Sequence, residues 1–206
     1  MTIFIQGFRL GAEPFFFSHA KEENAKNTYA MVMKYFVILG SLMLVFVTVY
    51  LDFFKQMLVA DESYWVAIDI VPVVLLANLF LGMYFNLSIW YKLTDKTRFG
   101  MYLSLIGAVV TIALNYVFIP KIGFMASAWT TLAAYSIMVI ISYILSRKHY
   151  KVPYNLQSIG IYLIISTSFA FASFYIFDGH LLIGTLLLFL FLGIVYIKEK
   201  KELLKI

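Results

Sequence analysis

Four polar side chains near the start of the chain, Thr2, Gln6, Arg9 and Glu13, recur at spacings of four, three and four. On a helix of 3.6 residues per turn, that spacing puts all four on one face. Gly7 and Gly11 fall on the opposite face in the GxxxG spacing that lets a neighbouring backbone come close. Phe4, Phe8, Phe15, Phe16 and Phe17 fill much of the remaining surface, and Pro14 is compatible with a kink or a helix end. An arginine inside an apolar span costs about 2.5–3.5 kcal/mol to insert, so it turns to a partner or a watery cavity. Arg9 and Glu13 stand one turn apart and can pair. Two chemistries are open: a structural ion pair near the membrane interface, or a hydrated lumen lining in which Arg9, with Glu13 and Gln6, meets an anionic substrate. Either way the face is expected to avoid lipid.

Other candidates are sparse. Asp69 is the one acid well inside an otherwise apolar run, followed by Pro72; it reads as a solvated helix end or as a site of proton coupling. His19, His149 and His180 sit in three different connectors and cysteine is absent, so neither a histidine metal cluster nor thiolate chemistry is expected. No P-loop, GxGxxG, HExxH or GxSxG pattern occurs. The reading is therefore a protein that is not an enzyme and has no cofactor and no metal. Weakly polar stripes at Asn78, Gly82 and Asn86, at Ser104, Gly107, Thr111 and Asn115, and at Ser166, Ala170 and Ser173 read as packing faces between helices.

The elements that must position these residues are apolar helices. Of 206 residues, 63% are hydrophobic and 13% charged, and the mean hydropathy is +0.89; soluble domains carry roughly 45–50% apolar and about 25% charged residues. Uncharged runs of about 18 residues or more read as spanning helices. They fall near Tyr35 to Leu51, Trp65 to Tyr91, Phe99 to Ile119, Phe124 to Ser146, Leu156 to Phe177 and Leu181 to Ile197. The expected fold is all-α, a polytopic transmembrane bundle of six complete spans plus a partial N-terminal span, forming a single membrane domain over residues 1–206. Trp65 and Trp90 bracket the second run as interfacial anchors would. The basic segments Lys21 to Lys34 and Lys198 to Lys205 are expected to lie as solvated faces against anionic lipid.

Positive charge alternates between connectors. Lys21, Lys26, Lys34, Lys92, Lys96, Arg98, Arg147, Lys148, Lys151, Lys198, Lys200, Lys201 and Lys205 fall on one side, and only Lys55 and Lys121 on the other, beside Asp52, Asp61, Glu62 and Asp178. Short exported loops disfavour positive charge, so the C-terminus is expected to be cytoplasmic. This asymmetry accounts for the net charge of +5 without any nucleic-acid surface, which would gather basic residues on one soluble face.

Two stretches carry a resemblance. FRLGAEPFFFSHAKEENAK, from Phe8 to Lys26, resembles the eighth helix and following turn of bacterial polysaccharide flippases. LNYVFIPKIGFMASAWTTLAAY, from Leu114 to Tyr135, resembles their junction of helices eleven and twelve. There Asn115 would end one helix, Pro120 and Gly123 would shape the turn, and Ala126, Ala128 and Thr130 would pack closely in the next. The chain thus looks like helices eight to fourteen of a Wzx-type (O-antigen) member of the multidrug/oligosaccharidyl-lipid/polysaccharide exporter superfamily. The resemblance implies translocation of an undecaprenyl-diphosphate-linked oligosaccharide across the bacterial cytoplasmic (inner) membrane by alternating access, in lipopolysaccharide or other envelope polysaccharide biosynthesis. Arg9 is the residue matching a cationic lumen position. The partners implied are that lipid-linked substrate, membrane lipid and a separate N-terminal half. The N-terminal bundle is expected to be absent, and the fragment to be incomplete as a transporter. A multidrug or small-solute antiporter of the same superfamily is the alternative, and a membrane-embedded glycan polymerase or acyltransferase a more distant one.

Reporter fusions test the charge count: those after Lys96, Lys151 and Lys205 should read cytoplasmic, and those near Asp61 and Gly179 external. An external C-terminus would overturn the topology.

Overall fold

A computed structural model describes residues 1–203, with side chains described to residue 200. Lys205 and the side chain of Lys201, both counted above in the basic C-terminus, lie outside the described residues. The chain is helical throughout: α1 Thr2–Ser18, α2 Ala25–Val49, α3 Leu51–Leu58, a 3-10 helix Glu62–Ile70, α4 Val71–Leu87, α5 Ile89–Leu93, α6 Arg98–Ile122, α7 Met125–His149, α8 Leu156–Phe171 closed by a π turn Ala172–Ile176, and α9 Leu181–Leu203. Among the described residues there is no strand. Six helical stretches among the described residues are long and apolar enough to cross a membrane: Ala25–Val49, Glu62–Leu93, Arg98–Ile122, Met125–His149, Leu156–Ile176 and Leu181–Lys200. The shorter α1 precedes them.

The helices group into two compact units, Met1–Phe36 with Val73–Asn155, and Val37–Pro72 with the chain from Leu156 onward. In the first unit, Ala12 and Phe16 of α1, Ala25 and Tyr29 of α2, Ile89 of α5 and Val152 form a buried core. Phe16 and Tyr29 meet edge to face at 5.0 Å, and the Tyr29 hydroxyl donates to the Phe16 carbonyl at 2.8 Å. Ala25, Tyr29 and Met33 are buried at four-residue intervals, the spacing of one helix face. That packing carries α2 back through the charged residues that precede the apolar run at Tyr35. Lys34 is consequently 6% exposed with its ammonium 5.0 Å from the Tyr35 ring, and Lys26 lies over the Tyr150 ring at 4.9 Å. Both residues were expected in a solvated face: Lys26 is exposed as expected, whereas packing of α2 buries Lys34.

Trp90 is also displaced from its expected role. It is fully buried, stacked on His149 at 5.3 Å and against Phe99 at 5.2 Å, and is a core residue rather than an interfacial anchor. Asn115 does not end a helix: α6 continues to Ile122 with Pro120 in its last turn. Gly123 then turns the chain at φ 66°, a conformation open chiefly to glycine. Ala126, Ala128 and Thr130 are buried at the start of α7, and Thr130 Oγ1 donates to Asn115 Oδ1 at 2.6 Å. Across the same hairpin the Met138 thioether occupies the space a side chain at Gly107 would need.

The second unit is built around Val45, Val49 and Leu188, with Leu42, Tyr50 and Phe169 packed on them. A β-carbon at Gly184 would lie 2.8 Å from both Val49 Cγ1 and Ser173 Oγ, so glycine there lets α9 approach closely. Near the end of α9, Glu199 is 5% exposed and accepts a hydrogen bond from the Tyr162 hydroxyl at 2.6 Å. It was expected in a solvated face; the tyrosine supplies the partner that makes its burial tolerable.

Gly82 offers the sharpest packing test, because a β-carbon there would collide with the Phe36 ring. Phe4 and Phe8 close over that ring at 5.5 and 4.6 Å. Gly82→Ala should lower unfolding stability in detergent by about 1–3 kcal/mol, and Phe36→Leu should recover part of it. Gly7→Ala, with nothing within 4 Å, should be neutral or stabilising by up to ~1 kcal/mol.

Candidate functional site

The stripe read from the sequence lies on α1, and the structure adds to it a residue from α5. Arg9 Nε stands 3.3 Å from Glu13 Oε1, the i,i+4 pair expected of a helix. Lys92 Nζ donates to the same oxygen at 2.6 Å. The Arg9 guanidinium also sits over the Phe85 ring of α4, 5.0 Å from its centroid, within cation–π range. One carboxylate therefore serves two cations and leaves the cluster with a surplus positive charge. The three side chains are 42%, 33% and 27% exposed for Arg9, Glu13 and Lys92, so the cluster is reachable from outside the protein without being fully solvated.

Local structure explains why Lys92 arrives there. The Ser88 hydroxyl donates to the Phe85 carbonyl at 2.7 Å, competing with the main-chain ladder, and α4 gives way at Ser88 to the short α5. Ile89, Trp90 and Tyr91 of α5 are buried, which turns the next residue, Lys92, outward to Glu13. The segment ends where Thr94 Oγ1 donates to the Trp90 carbonyl at 2.8 Å and Asp95 adopts φ 56°. Sequence reasoning missed Lys92 because it is 79 residues from Glu13, and no helical spacing links the two. Its place among the basic connector residues gave only its side of the membrane.

The other sequence candidates separate from this cluster. Gln6 and Thr2 are exposed, and among the described residues no hydrogen bond joins them to Arg9 or Glu13; the stripe is a shared face, with only its second half drawn together. Asp69 is exposed within the 3-10 helix, and its main-chain carbonyl accepts from the Tyr175 hydroxyl at 2.6 Å, which fits a helix end. Upstream of it, Asp61 caps that helix. The Ser63 amide donates to Asp61 Oδ1 at 2.9 Å, and this hydrogen bond holds the carboxyl below its ordinary pKa.

The histidines lie apart. His19 approaches Glu22 at 3.8 Å, His149 stacks on Trp90 and His180 is exposed. Among the described residues no group of three or more His, Cys, Asp or Glu could hold a metal ion. The polar stripes are mostly internal: Asn78 and Asn86 donate to the Val74 and Gly82 carbonyls at 2.9 and 3.2 Å, while Ser166, Ala170 and Ser173 are buried. Ser104, by contrast, is exposed. The arrangement of Arg9, Glu13 and Lys92 contains no activated nucleophile. What it offers chemically is surplus positive charge beside an aromatic face.

A family model, MatE, matches residues 3–117, more than half of the chain and the part that contains Arg9, Glu13, Phe85 and Lys92. No curated protein and no solved structure matches the chain.

The shared carboxylate makes the cluster asymmetric. Lys92→Gln leaves the Arg9–Glu13 pair intact and should cost no more than ~1 kcal/mol. Glu13→Gln leaves two cations together and should cost more, read as a lower unfolding temperature in detergent. Raising the salt should narrow the difference. Equal losses for both variants at low salt would mean that the carboxylate is not shared.

Proposed function

The chain belongs to the MatE family, a family of membrane transporters, and we propose that it forms the C-terminal bundle of an exporter that moves a lipid-linked oligosaccharide across the cytoplasmic membrane. It is a multi-pass membrane protein, with six apolar spans among the described residues. The family comprises exporters of the multidrug/oligosaccharidyl-lipid/polysaccharide type, and its members are transporters rather than enzymes. The finer reading rests on the flippase-like stretches Phe8 to Lys26 and Leu114 to Tyr135. It also rests on one structural observation, the surplus cation of the Arg9, Glu13 and Lys92 cluster, within reach of the exterior.

In this reading the cluster lines a lumen completed by a second bundle, and the phosphates or acidic sugars of an undecaprenyl-diphosphate-linked glycan meet Arg9 and Lys92. Guanidinium suits such groups because its fork can bind two oxygens at once. Alternating access then moves the site between leaflets as the two bundles rock, with the C-terminus cytoplasmic. The resemblance that supports this reading begins at helix eight, so the bundle is proposed to act together with an N-terminal one.

Family membership fits a multidrug or small-solute antiporter equally well. That reading requires a carboxylate able to bind and release a coupling ion. Among the described residues Glu199 is the one buried acid, and its hydrogen bond from Tyr162 is the observation in its favour.

Transport separates the two. A strain lacking its polysaccharide flippase should be rescued when this chain is supplied with an N-terminal bundle and not by this chain alone. In the assembled transporter, Arg9→Gln should lower export per molecule in the membrane about tenfold, equivalent to the ~1.4 kcal/mol expected for loss of a charge-assisted contact, and Arg9→Lys should retain more. Unchanged normalised export in Arg9→Gln would leave Arg9 as Glu13's structural partner. Cation efflux that depends on Glu199 and is indifferent to Arg9 would favour the antiporter.

A further inference from the structure

At the junction of α2, α3, the 3-10 helix and α4, the side chains of Val47, Leu51, Phe54, Leu58, Ile68 and Val71 wall a cavity of about 350 Å³. Its one charged lining residue is Lys55. The volume lies within the ~300–1,000 Å³ typical of ligand pockets, and the pocket is open on one side with walls of hydrocarbon. An apolar occupant matches that lining. We propose that this cavity binds one acyl chain of a zwitterionic aminophospholipid, with the headgroup held between Lys55 and Asp52.

Depth supports a lipid. The cavity lies where the α2 span ends and the next span begins, beside Asp52, Asp61, Glu62 and Trp65, a residue mixture characteristic of the headgroup level. The helix over it, α3, carries Asp52, Lys55 and Gln56 on eight residues while exposing Phe53, Met57 and Leu58 by 63%, 70% and 71%. Exposed apolar groups alternating with charge on a short helix fit an element lying in the plane of the interface. There the abundant apolar molecules are acyl chains.

Charge selects the headgroup. Lys55 Nζ is 2.8 Å from Asp52 Oδ1 and 4.7 Å from the centre of the Trp65 ring. The Asp52 side chain remains 61% exposed, so its carboxylate keeps capacity for a further donor. Across this segment Asp52, Asp61, Glu62 and Asp69 outnumber Lys55, which disfavours an anionic lipid. A headgroup with a phosphate for Lys55 and an ammonium for Asp52 matches both members of the pair. The proposal requires only that the chain sit in a membrane and is independent of what it exports.

The test places the chain in nanodiscs containing phosphatidylethanolamine or phosphatidylglycerol with a photoreactive diazirine in the acyl chain, and maps adducts by mass spectrometry. Adducts on residues 47–71 should exceed those on the exposed α6 stretch 101–116 several-fold, and phosphatidylethanolamine should label the cavity several-fold more than phosphatidylglycerol. Filling the cavity with Val71→Trp, or separately with Val47→Phe, should remove the excess while α6 labelling, which reports a folded and inserted chain, stays constant. Asp52→Asn should reduce the preference between headgroups. Labelling of the cavity no stronger than that of α6, its persistence in both filled variants, or equal labelling by the two lipids would overturn the proposal.

Discussion

Hydrocarbon offers a polar group no partner, and most of the arrangement follows from that constraint. Main-chain groups satisfy one another in helices, the open-ended element able to do so in a bilayer. Several side chains follow the same rule within their own helix. Thr111, Thr131 and Thr185 donate to the carbonyls of Gly107, Ser127 and Leu181 at 2.8, 2.7 and 2.7 Å, and Asn78 and Asn86 turn back in the same way. A donor that bonds to its own helix asks nothing of the neighbouring helix. Close approach can then be set by shape alone, by the Phe36 ring over Gly82, the Met138 thioether over Gly107, and Val49 with Ser173 against Gly184.

Where one helix cannot satisfy a group, the partner comes from another. The Tyr29 hydroxyl finds the Phe16 carbonyl, Thr130 finds Asn115, and Tyr162 finds Glu199. Such bonds matter more for what their loss would cost than for their net worth. A buried group left without its partner costs about 1–3 kcal/mol, against roughly 1 kcal/mol gained by a typical bond. They specify which helix faces meet, whereas apolar contacts such as those around Val45, Val49 and Leu188 admit many near-equivalent packings.

This division explains what the sequence revealed. Spans are a property of local composition, so the six apolar runs were legible directly, and the turn at Gly123 through the family resemblance. The packing role of the small-residue stripes was legible too, with Ser104 the exposed exception. Misplaced residues share a cause: Lys34, Trp90 and Glu199 carry polar atoms at the margins of spans, and polarity there reads as exposure. The Lys34 ammonium lies by the Tyr35 ring, Trp90 is held by ring packing on His149 and Phe99, and Glu199 accepts from Tyr162; hydropathy contains no information about such neighbours. The short α3 was hidden for another reason. Eight residues that mix Asp52 and Lys55 with five large apolar side chains give a run too brief to distinguish from a loop. Two of the three cluster residues were visible because Arg9 and Glu13 lie one turn apart. Lys92 could be found only by folding α5 against α1.

The cluster itself shows why one carboxylate among cations suits a transporter better than cations alone. Arg9 Nε and Lys92 Nζ both lie within 3.3 Å of the same Glu13 oxygen. Like charges held around one oxygen repel each other, so without an anion between them they would move apart or draw one in tightly. Glu13 relieves that repulsion permanently, which preorganises both cations and weakens their hold on any anion that arrives. A site that must release its cargo on the far side of the membrane needs that compromise, since binding strong enough to trap the ligand ends transport. Under the proposed function Glu13 is thus a built-in competitor for the anionic ligand. The surplus charge on Arg9 and Lys92 is what remains to attract it.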